Sequence, residues 1–129
     1  MTAYVGALES LTLKNSSFRR VIFTAVHSQI VLMSLLPGEE IGEEVHSDVD
    51  QFFRVEQGEA GFVFGEREPR LARDGDAVLV PAGTQHNVVN TSRTKLLKMY
   101  TIYSPPNHPE GTIHETRADA EAAERGTPT

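Results

Sequence analysis

Apolar and polar positions alternate in short runs through the middle of the chain. Between residues 20 and 103, apolar and β-branched runs are separated by Gly, Pro, Asp and Asn. This pattern is typical of β-strands joined by tight turns. Strands are predicted at residues 20–25, 29–36, 41–46, 50–57, 60–64, 77–81, 86–90 and 96–102. Short strands in this number, with no helical repeat between them, indicate an all-β sandwich or barrel.

The two ends of the chain lack this alternation. A length of 129 residues suits one domain with a hydrophobic core. The sequence therefore predicts an N-terminal segment at 1–19, a barrel at 20–103 and a C-terminal extension at 104–129. Residues 118–129 are rich in Ala and charge before Gly126 and Pro128, which predicts one or two helical turns that then fray.

Composition narrows the classes of function. The net charge of −6 and pI near 5.3 provide no basic surface for phosphates, so neither nucleic acid nor a membrane is an expected partner. The absence of cysteine excludes disulfides, thiolate metal sites and cysteine nucleophiles. No apolar stretch reaches membrane-spanning length, and the N-terminus has no basic region followed by an apolar run. A cytoplasmic location is expected.

Two polar segments contain candidate metal ligands. Glu44 and His46 stand two apart in a predicted strand and would project from one face. Gln51 follows a stretch long enough to turn back toward them, and His86 follows a Pro- and Gly-containing turn. Carboxylate, imidazole and amide groups all offer lone pairs to a cation. Each residue alone has an ordinary structural explanation, but their joint spacing predicts a four-ligand metal site.

The spacing of these residues resembles the two sequence motifs of small single-domain cupins of type 2. The first motif, Gly-x5-His-x-His-x3–4-Glu-x6-Gly, corresponds with two substitutions to Gly38, Glu44, His46, Gln51 and Gly58. The second motif, Gly-x5-Pro-x-Gly-x2-His-x3-Asn, is matched at every specified position by Gly75, Pro81, Gly83, His86 and Asn90. The resemblance implies a double-stranded β-helix (jelly-roll-like) barrel with short terminal extensions, one divalent metal ion and a homodimer.

The two substitutions change the ligand set that the resemblance implies. Glu44 replaces the first histidine of the family motif, and Gln51 replaces its glutamate. The predicted site therefore has two histidines, one carboxylate and one amide oxygen, at the same formal ligand charge as the usual three histidines and one carboxylate. Imidazole and oxygen ligands suit Fe, Mn, Ni and Zn, and the sequence does not distinguish among these metals.

Three functions are compatible with such a site. The favoured one is a metal-dependent, dioxygenase-like oxidoreductase that acts on a small organic molecule held in the barrel. The alternatives are a metal-assisted sugar or carbonyl isomerase and a non-enzymatic ligand-binding protein. The fold alone cannot separate them. The chain has no Gly-x-Ser-x-Gly motif for hydrolase chemistry.

Other residues are predicted to lie in the core, at the surface or in turns. The expected barrel interior contains Phe53, Val55, Phe62 or Val63, Val78, Val80, Met99, and Tyr100 or Tyr103. Arg54 is expected in a surface ion pair, and His27 at the surface. His108 and His114 lie in or beyond a proline-rich segment, where a structural or surface role is favoured over a catalytic lid. Asp48 and Asp50 are assigned to the turn before Gln51, or to orienting a ligand.

Overall fold

The computed structural model describes residues 2–126, with two helices and nine strands in that range. In chain order these are α1 (Leu8–Lys14), β1 (Arg19–Thr24), β2 (Gln29–Leu35), β3 (Asp50–Gln57), β4 (Glu59–Val63), β5 (Arg70–Arg73), β6 (Ala77–Val80), β7 (Asn87–Asn90), β8 (Leu97–Ser104), β9 (Ile113–His114) and α2 (Arg117–Gly126). None of the helices in the described range is long and apolar enough to span a bilayer.

The strands form two antiparallel sheets. One has six strands in the order β6-β3-β8-β2-β1-β9, and the other has three in the order β5-β4-β7. Strands that follow one another in sequence are often not neighbours, as expected for a double-stranded β-helix. The predicted all-β barrel of this type is confirmed.

Alternation along each strand selects the residues of the core. In β3, Phe53 and Val55 are fully buried, while Arg54 faces outward and pairs with Glu56 at 3.0 Å, as predicted. Of the pairs Phe62 or Val63 and Tyr100 or Tyr103, Phe62 and Tyr103 are the buried residues. The apolar core consists of Phe18, Val21, Val31, Met33, Leu35, Phe53, Val55, Ala60, Phe62, Ala72, Val80, Val88, Leu97, Met99, Tyr103 and Ala120.

The strand predicted at residues 41–46 is not formed. The chain makes only two isolated bridges there, Glu40 with Val89 and Glu44 with His86. Between them Gly42 has a φ of 109°, and its N–H is hydrogen-bonded to the side chain of Asn87 instead of to a strand backbone. A left-handed residue interrupts the regular ladder. The segment still lies against the edge of β7.

Helix α1 and strands β5 and β9 were not predicted. The residue before α1 is Ala7, which provides no side-chain cap, so the usual start signal is absent. The buried Lys98 side chain donates to the carbonyl of Asn15 and ties the end of this helix to β8. Strand β5 has exposed Arg residues at both ends, and β9 has only two residues. Local sequence signals are weak in all three.

Helix α2 is longer than the one or two turns predicted. Its start has a reciprocal cap, in which the backbone N–H of Asp119 bonds to Thr116 Oγ1 and the Thr116 N–H bonds to the Asp119 carboxylate. This Thr-x-x-Asp arrangement is a helix start signal that is present in the sequence. The fraying predicted for residues 127–129 concerns positions outside the described residues.

Candidate metal centre

Glu44 and His86 are placed opposite each other by backbone pairing. The N–H of Glu44 donates to the His86 carbonyl at 2.8 Å, and the N–H of His86 donates to the Glu44 carbonyl at 2.9 Å. Residues paired in this way project to the same face of the two strands. His46 follows two residues after Glu44. The ligand atoms of these three side chains all lie within 4.8 Å of one another.

The loop that carries His86 is bound to the segment that carries His46. Gly83, with a φ of 81°, donates its N–H to the carbonyl of His46 at 2.8 Å. Asp50 accepts a hydrogen bond from the N–H of Ala82 at 2.8 Å, so its carboxylate holds the same loop. The conformation at Gly83 favours glycine. Asp50 is the first residue of β3 and not part of the turn predicted before Gln51, whereas Asp48 lies in that turn and is exposed.

The imidazole of His86 is oriented by a backbone carbonyl. Its Nδ1 lies 2.9 Å from the carbonyl oxygen of Thr84. Because a carbonyl only accepts, Nδ1 carries the proton, and Nε2 is left with a free lone pair. His86 is 2% exposed, and its buried Nε2 has no hydrogen-bond partner. This is the arrangement expected of a histidine ready to bind a metal.

His46 and Glu44 complete the group of three. The Nε2 atom of His46 is buried without a hydrogen-bond partner and lies 3.8 Å from the Glu44 carboxylate. Burial raises the pKa of Glu44, but the neighbouring His46 and then the charge of Arg19 outweigh burial, so the net pKa is lowered. Glu44 is therefore a carboxylate at neutral pH and can act as an anionic ligand.

Gln51 is buried at the start of β3 with its amide in a defined orientation. Its Nε2 donates to Thr101 Oγ1 at 3.0 Å, and its Oε1 is buried with no partner. Gln51 is 1% exposed and stands opposite Tyr103, whose ring lies 6.0 Å from that of His46. A buried, unpaired amide oxygen fits the prediction of a fourth, weaker ligand. Its coordination to a metal stays a prediction.

The chemistry of this donor set fits a divalent cation. His46 Nε2, His86 Nε2 and Gln51 Oε1 are all buried lone-pair donors without partners. Each unpaired buried polar atom costs about 1 to 3 kcal/mol, which a bound cation would offset. Two imidazoles and a carboxylate suit iron, and the same set accepts manganese, nickel or zinc.

A tyrosine and a histidine lie next to the candidate ligands. The Nε2 of His108 is 3.2 Å from the Tyr103 hydroxyl, and their rings lie 5.1 Å apart. Burial, followed by the charge of Glu44, raises the pKa of Tyr103. Burial, followed by the charge of Arg19, lowers the pKa of His108 to about 4. At neutral pH, Tyr103 is thus a neutral hydroxyl and His108 a neutral imidazole.

Gln29 holds the segment that brings His108 to Tyr103, and no sequence motif marks this glutamine. Its Oε1 accepts the N–H groups of Asn107 and His108 at 3.1 and 3.0 Å. Its Nε2 donates to the His108 carbonyl at 2.7 Å. His108 is thus held in place by Gln29, in line with the structural role favoured for it, and it also contacts Tyr103 next to the candidate ligands. His27 is exposed, as predicted.

Arg19 is a second polar residue that sequence reasoning missed. It is 2% exposed, and its guanidinium Nη1 lies 3.3 Å from Nδ1 of His114 on β9. The Nε of Arg19 is buried without a hydrogen-bond partner. Arg19 shares a strand face with the buried Val21, but the predicted strand began one residue later. Alternation extended by one residue would have marked Arg19 as inward-facing.

The domain family that matches this sequence is Cupin_2, described as a cupin domain, over residues 31–103. The chain belongs to the cupin family. The resemblance of the two motifs is thereby confirmed. Both segments that carry the candidate ligands lie within the matched part of this cupin.

Similar proteins extend the likeness beyond the cupin barrel. The cupin is 49% identical to the uncharacterized protein YrkC of Bacillus subtilis (strain 168), over 94% of this chain and 67% of YrkC. It is 46% identical to the uncharacterized protein L612 of Acanthamoeba polyphaga mimivirus, over 88% of this chain and 72% of L612. The crystal structure of BH2720 from Bacillus halodurans superposes with a TM-score of 0.90 at 45% identity, covering 94% and 95% of the two chains.

Proposed function

We propose that this cupin holds one divalent metal ion through Glu44, His46 and His86, with Gln51 as a fourth ligand, and acts on a small organic molecule in the barrel. The observation that carries the proposal is the convergence of buried, unpaired lone-pair atoms on one carboxylate. Two histidines and one carboxylate leave coordination positions free, which favours a dioxygenase-like oxidoreductase. A small-molecule substrate, a homodimer and a cytoplasmic location are parts of this proposal.

The chain's own residues would have separate tasks in this chemistry. When bound, the ion supplies Lewis acidity and, if it is iron(II), electrons for the reduction of dioxygen. The carboxylate of Glu44 balances part of the ion's charge, and the Thr84 carbonyl holds His86 in the tautomer that binds. The Tyr103 hydroxyl is protonated at neutral pH and can donate a hydrogen bond to a substrate oxygen.

Metal reconstitution is the first test of the proposal. Protein without a histidine tag is loaded separately with iron(II), manganese(II), nickel(II) and zinc(II), and its metal content is determined by elemental analysis. We expect one ion per chain for at least one metal. The His86→Ala variant should lose the ion, whereas His27→Ala should keep it because His27 is exposed and takes no part in the site. Substoichiometric metal under every condition would reject the proposal.

Oxygen uptake by the iron-loaded protein tests the type of reaction. A panel of phenols, diketones, amino-acid derivatives and small carboxylic acids would be compared with the His86→Ala variant. Consumption of dioxygen that depends on both substrate and His86 supports the oxidoreductase. Turnover without dioxygen supports a metal-assisted isomerase. Ligand binding with no turnover supports a non-enzymatic binding protein.

A further inference from the structure

The interior of the barrel contains a buried arginine that the metal site does not use as a ligand. Arg19 lies on β1 opposite Met33 of β2, and Met33 lies opposite Met99 of β8. Both methionines are fully buried, so the side chain of Arg19 starts from an inward-facing row of the larger sheet. A guanidinium is always charged at neutral pH, and charges are rarely buried unless they are paired.

The contacts of Arg19 leave much of its hydrogen-bonding capacity free. Its guanidinium has five N–H donors, of which Nη1 is close to His114 Nδ1 and Nε has no partner. The Phe18 ring lies 5.4 Å from the centre of the guanidinium. Among residues 2–126, the ion pairs do not include Arg19. The guanidinium of Arg19 thus contacts the Phe18 ring and the His114 imidazole but has no carboxylate counter-ion among the described residues.

The field of Arg19 reaches the candidate metal centre. Its positive charge contributes to lowering the pKa values of Glu44 and His108 and opposes the rise in the pKa of Tyr103. Glu44 belongs to the candidate ligand group, and the ring of Tyr103 lies 6.0 Å from that of His46. The positive charge of Arg19 is therefore felt at Glu44, which belongs to the candidate ligand group.

We infer that Arg19 binds the carboxylate of a small organic acid that occupies the barrel next to the metal centre. The inference rests on the proposed function, and it names the substrate class. A divalent ion together with Arg19 brings three positive charges, of which Glu44 balances one, so a bound carboxylate reduces the remaining excess of positive charge. Guanidinium and carboxylate also match in shape, because two parallel N–H groups can donate to the two oxygens.

Ligand binding to the cobalt(II)-loaded and metal-free proteins tests this inference. The probes are glycolate and its uncharged isostere glycolamide, measured by titration calorimetry and by the visible spectrum of cobalt. We expect the wild type to bind glycolate at least tenfold more tightly than glycolamide. Arg19→Met should abolish this preference while its cobalt content stays unchanged. The matched control is Arg20→Met, because Arg20 is exposed on the other face of β1.

The outcomes separate this inference from the proposed function. If the wild type binds cobalt but shows no preference for glycolate, or if Arg19→Met keeps the preference, the inference is overturned and the metal centre stands. If cobalt does not bind but the metal-free protein prefers glycolate through Arg19, the metal centre fails and the carboxylate site stands. Should Arg19→Met not fold, Arg19→Lys keeps the charge but loses the paired donors. A preference as strong as that of the wild type in Arg19→Lys would contradict the inference.

Discussion

Two buried amides of this barrel have opposite surroundings. Asn90, at the end of β7, donates through Nδ2 to the carbonyls of Leu35, Leu36 and Lys95, and its oxygen accepts the N–H of Ser92. Gln51, at the start of β3, has a partner for its nitrogen but none for its oxygen. Both side chains are 1% exposed. Asn90 stabilises a corner of the fold, whereas Gln51 is left available for a ligand.

The surroundings of Asn90 and of Gln51 differ in the same way as the two amides. Near Asn90, the backbone carbonyls of two loops are satisfied by one side chain. Near Gln51, two histidine nitrogens are also unpaired. A folded protein usually avoids such groups unless a ligand, an ion or water pairs with them. The unpaired groups of the metal-site region lower the stability of the metal-free protein and leave these atoms available to a ligand. Variants in this region should therefore change mainly metal affinity, and variants near Asn90 mainly the free energy of unfolding.

The largest effect is expected for the removal of a ligand from the metal-site region. His86→Ala should lower metal affinity by more than the roughly 10- to 100-fold loss typical of residues that only orient a ligand. The metal-free variant should remain folded, because the substitution removes one side-chain hydrogen bond, from Nδ1 of His86 to the Thr84 carbonyl, while Nε2 of His86 makes none. Metal titration with circular dichroism checks both statements. Unchanged affinity in His86→Ala would remove the distinction between the two regions.

Acid should destabilise the metal-site region before it affects the Asn90 corner. The pKa of His108 is about 4 in the folded chain and 6.5 in its ordinary state. Its contribution is therefore complete above pH 6.5 and is lost as the pH falls from 6.5 toward 4. The loss should reach about 3 kcal/mol at most, less where solvent screens the ring. The lowered pKa of His114 acts in the same direction.

Urea unfolding of the metal-free protein at about pH 7.5 and about pH 5 measures this loss. His108→Gln should reduce the difference in unfolding free energy between the two pH values. His27→Gln, at an exposed histidine, should leave the difference as in the wild type. A His108→Gln variant that loses as much stability as the wild type would show that His108 has no part in the effect.

Removal of the satisfied amide should affect stability alone. Asn90→Ala leaves buried carbonyls at the barrel corner without donors and should lower the free energy of unfolding by about 3 kcal/mol. Metal affinity should remain within a factor of about 2 of the wild type, since Asn90 is bound to loops and not to the ligands. Urea denaturation and metal titration give the two values. A large loss of metal affinity in a folded Asn90→Ala protein would contradict this separation.

Removal of the unsatisfied amide should produce the smallest change. Gln51→Leu loses one hydrogen bond to Thr101 but also removes an unpaired buried oxygen, so the unfolding free energy of the metal-free protein should change by less than about 1 kcal/mol. Metal affinity should fall about tenfold, because a neutral amide is the weakest of the proposed ligands. Gln57→Leu, at an exposed position of the same strand, is the matched control. Equal losses for Gln51→Leu and His86→Ala would show that the ligand ranking is wrong.

The sequence predicts well those features that depend on local geometry. The turn at Gly83 requires a left-handed residue, and Gly58 lies so close to the chain that an added Cβ would meet the carbonyl oxygen of Leu96 at 2.8 Å. Such positions are visible as fixed glycines in the motifs. Together with the spacing of Glu44, His46 and His86, these glycines allowed the barrel and three of the candidate ligands to be located from the sequence.

Features that depend on distant contacts were missed for physical reasons. Arg19 and Gln29 are polar residues in strands, and their burial is decided by segments about 80 to 95 residues away in sequence. The irregular segment at 41–46 has strand-forming residues, but the side chain of Asn87 replaces a backbone partner at Gly42. Helix α1 lacks a side-chain cap and depends on tertiary contacts. Of these features, only the inward position of Arg19 leaves a local signal, in the alternation of β1.

The most direct test is a crystal structure of the cobalt(II)-loaded protein, with the ion located by anomalous scattering. We predict a single strong peak per chain, bonded to Nε2 of His46, Nε2 of His86 and the Glu44 carboxylate, with Gln51 Oε1 completing the protein ligands. The nitrogen and oxygen distances should be about 2.0 to 2.2 Å. A fully reconstituted protein with no peak between these side chains, or with its peak elsewhere, would contradict the account.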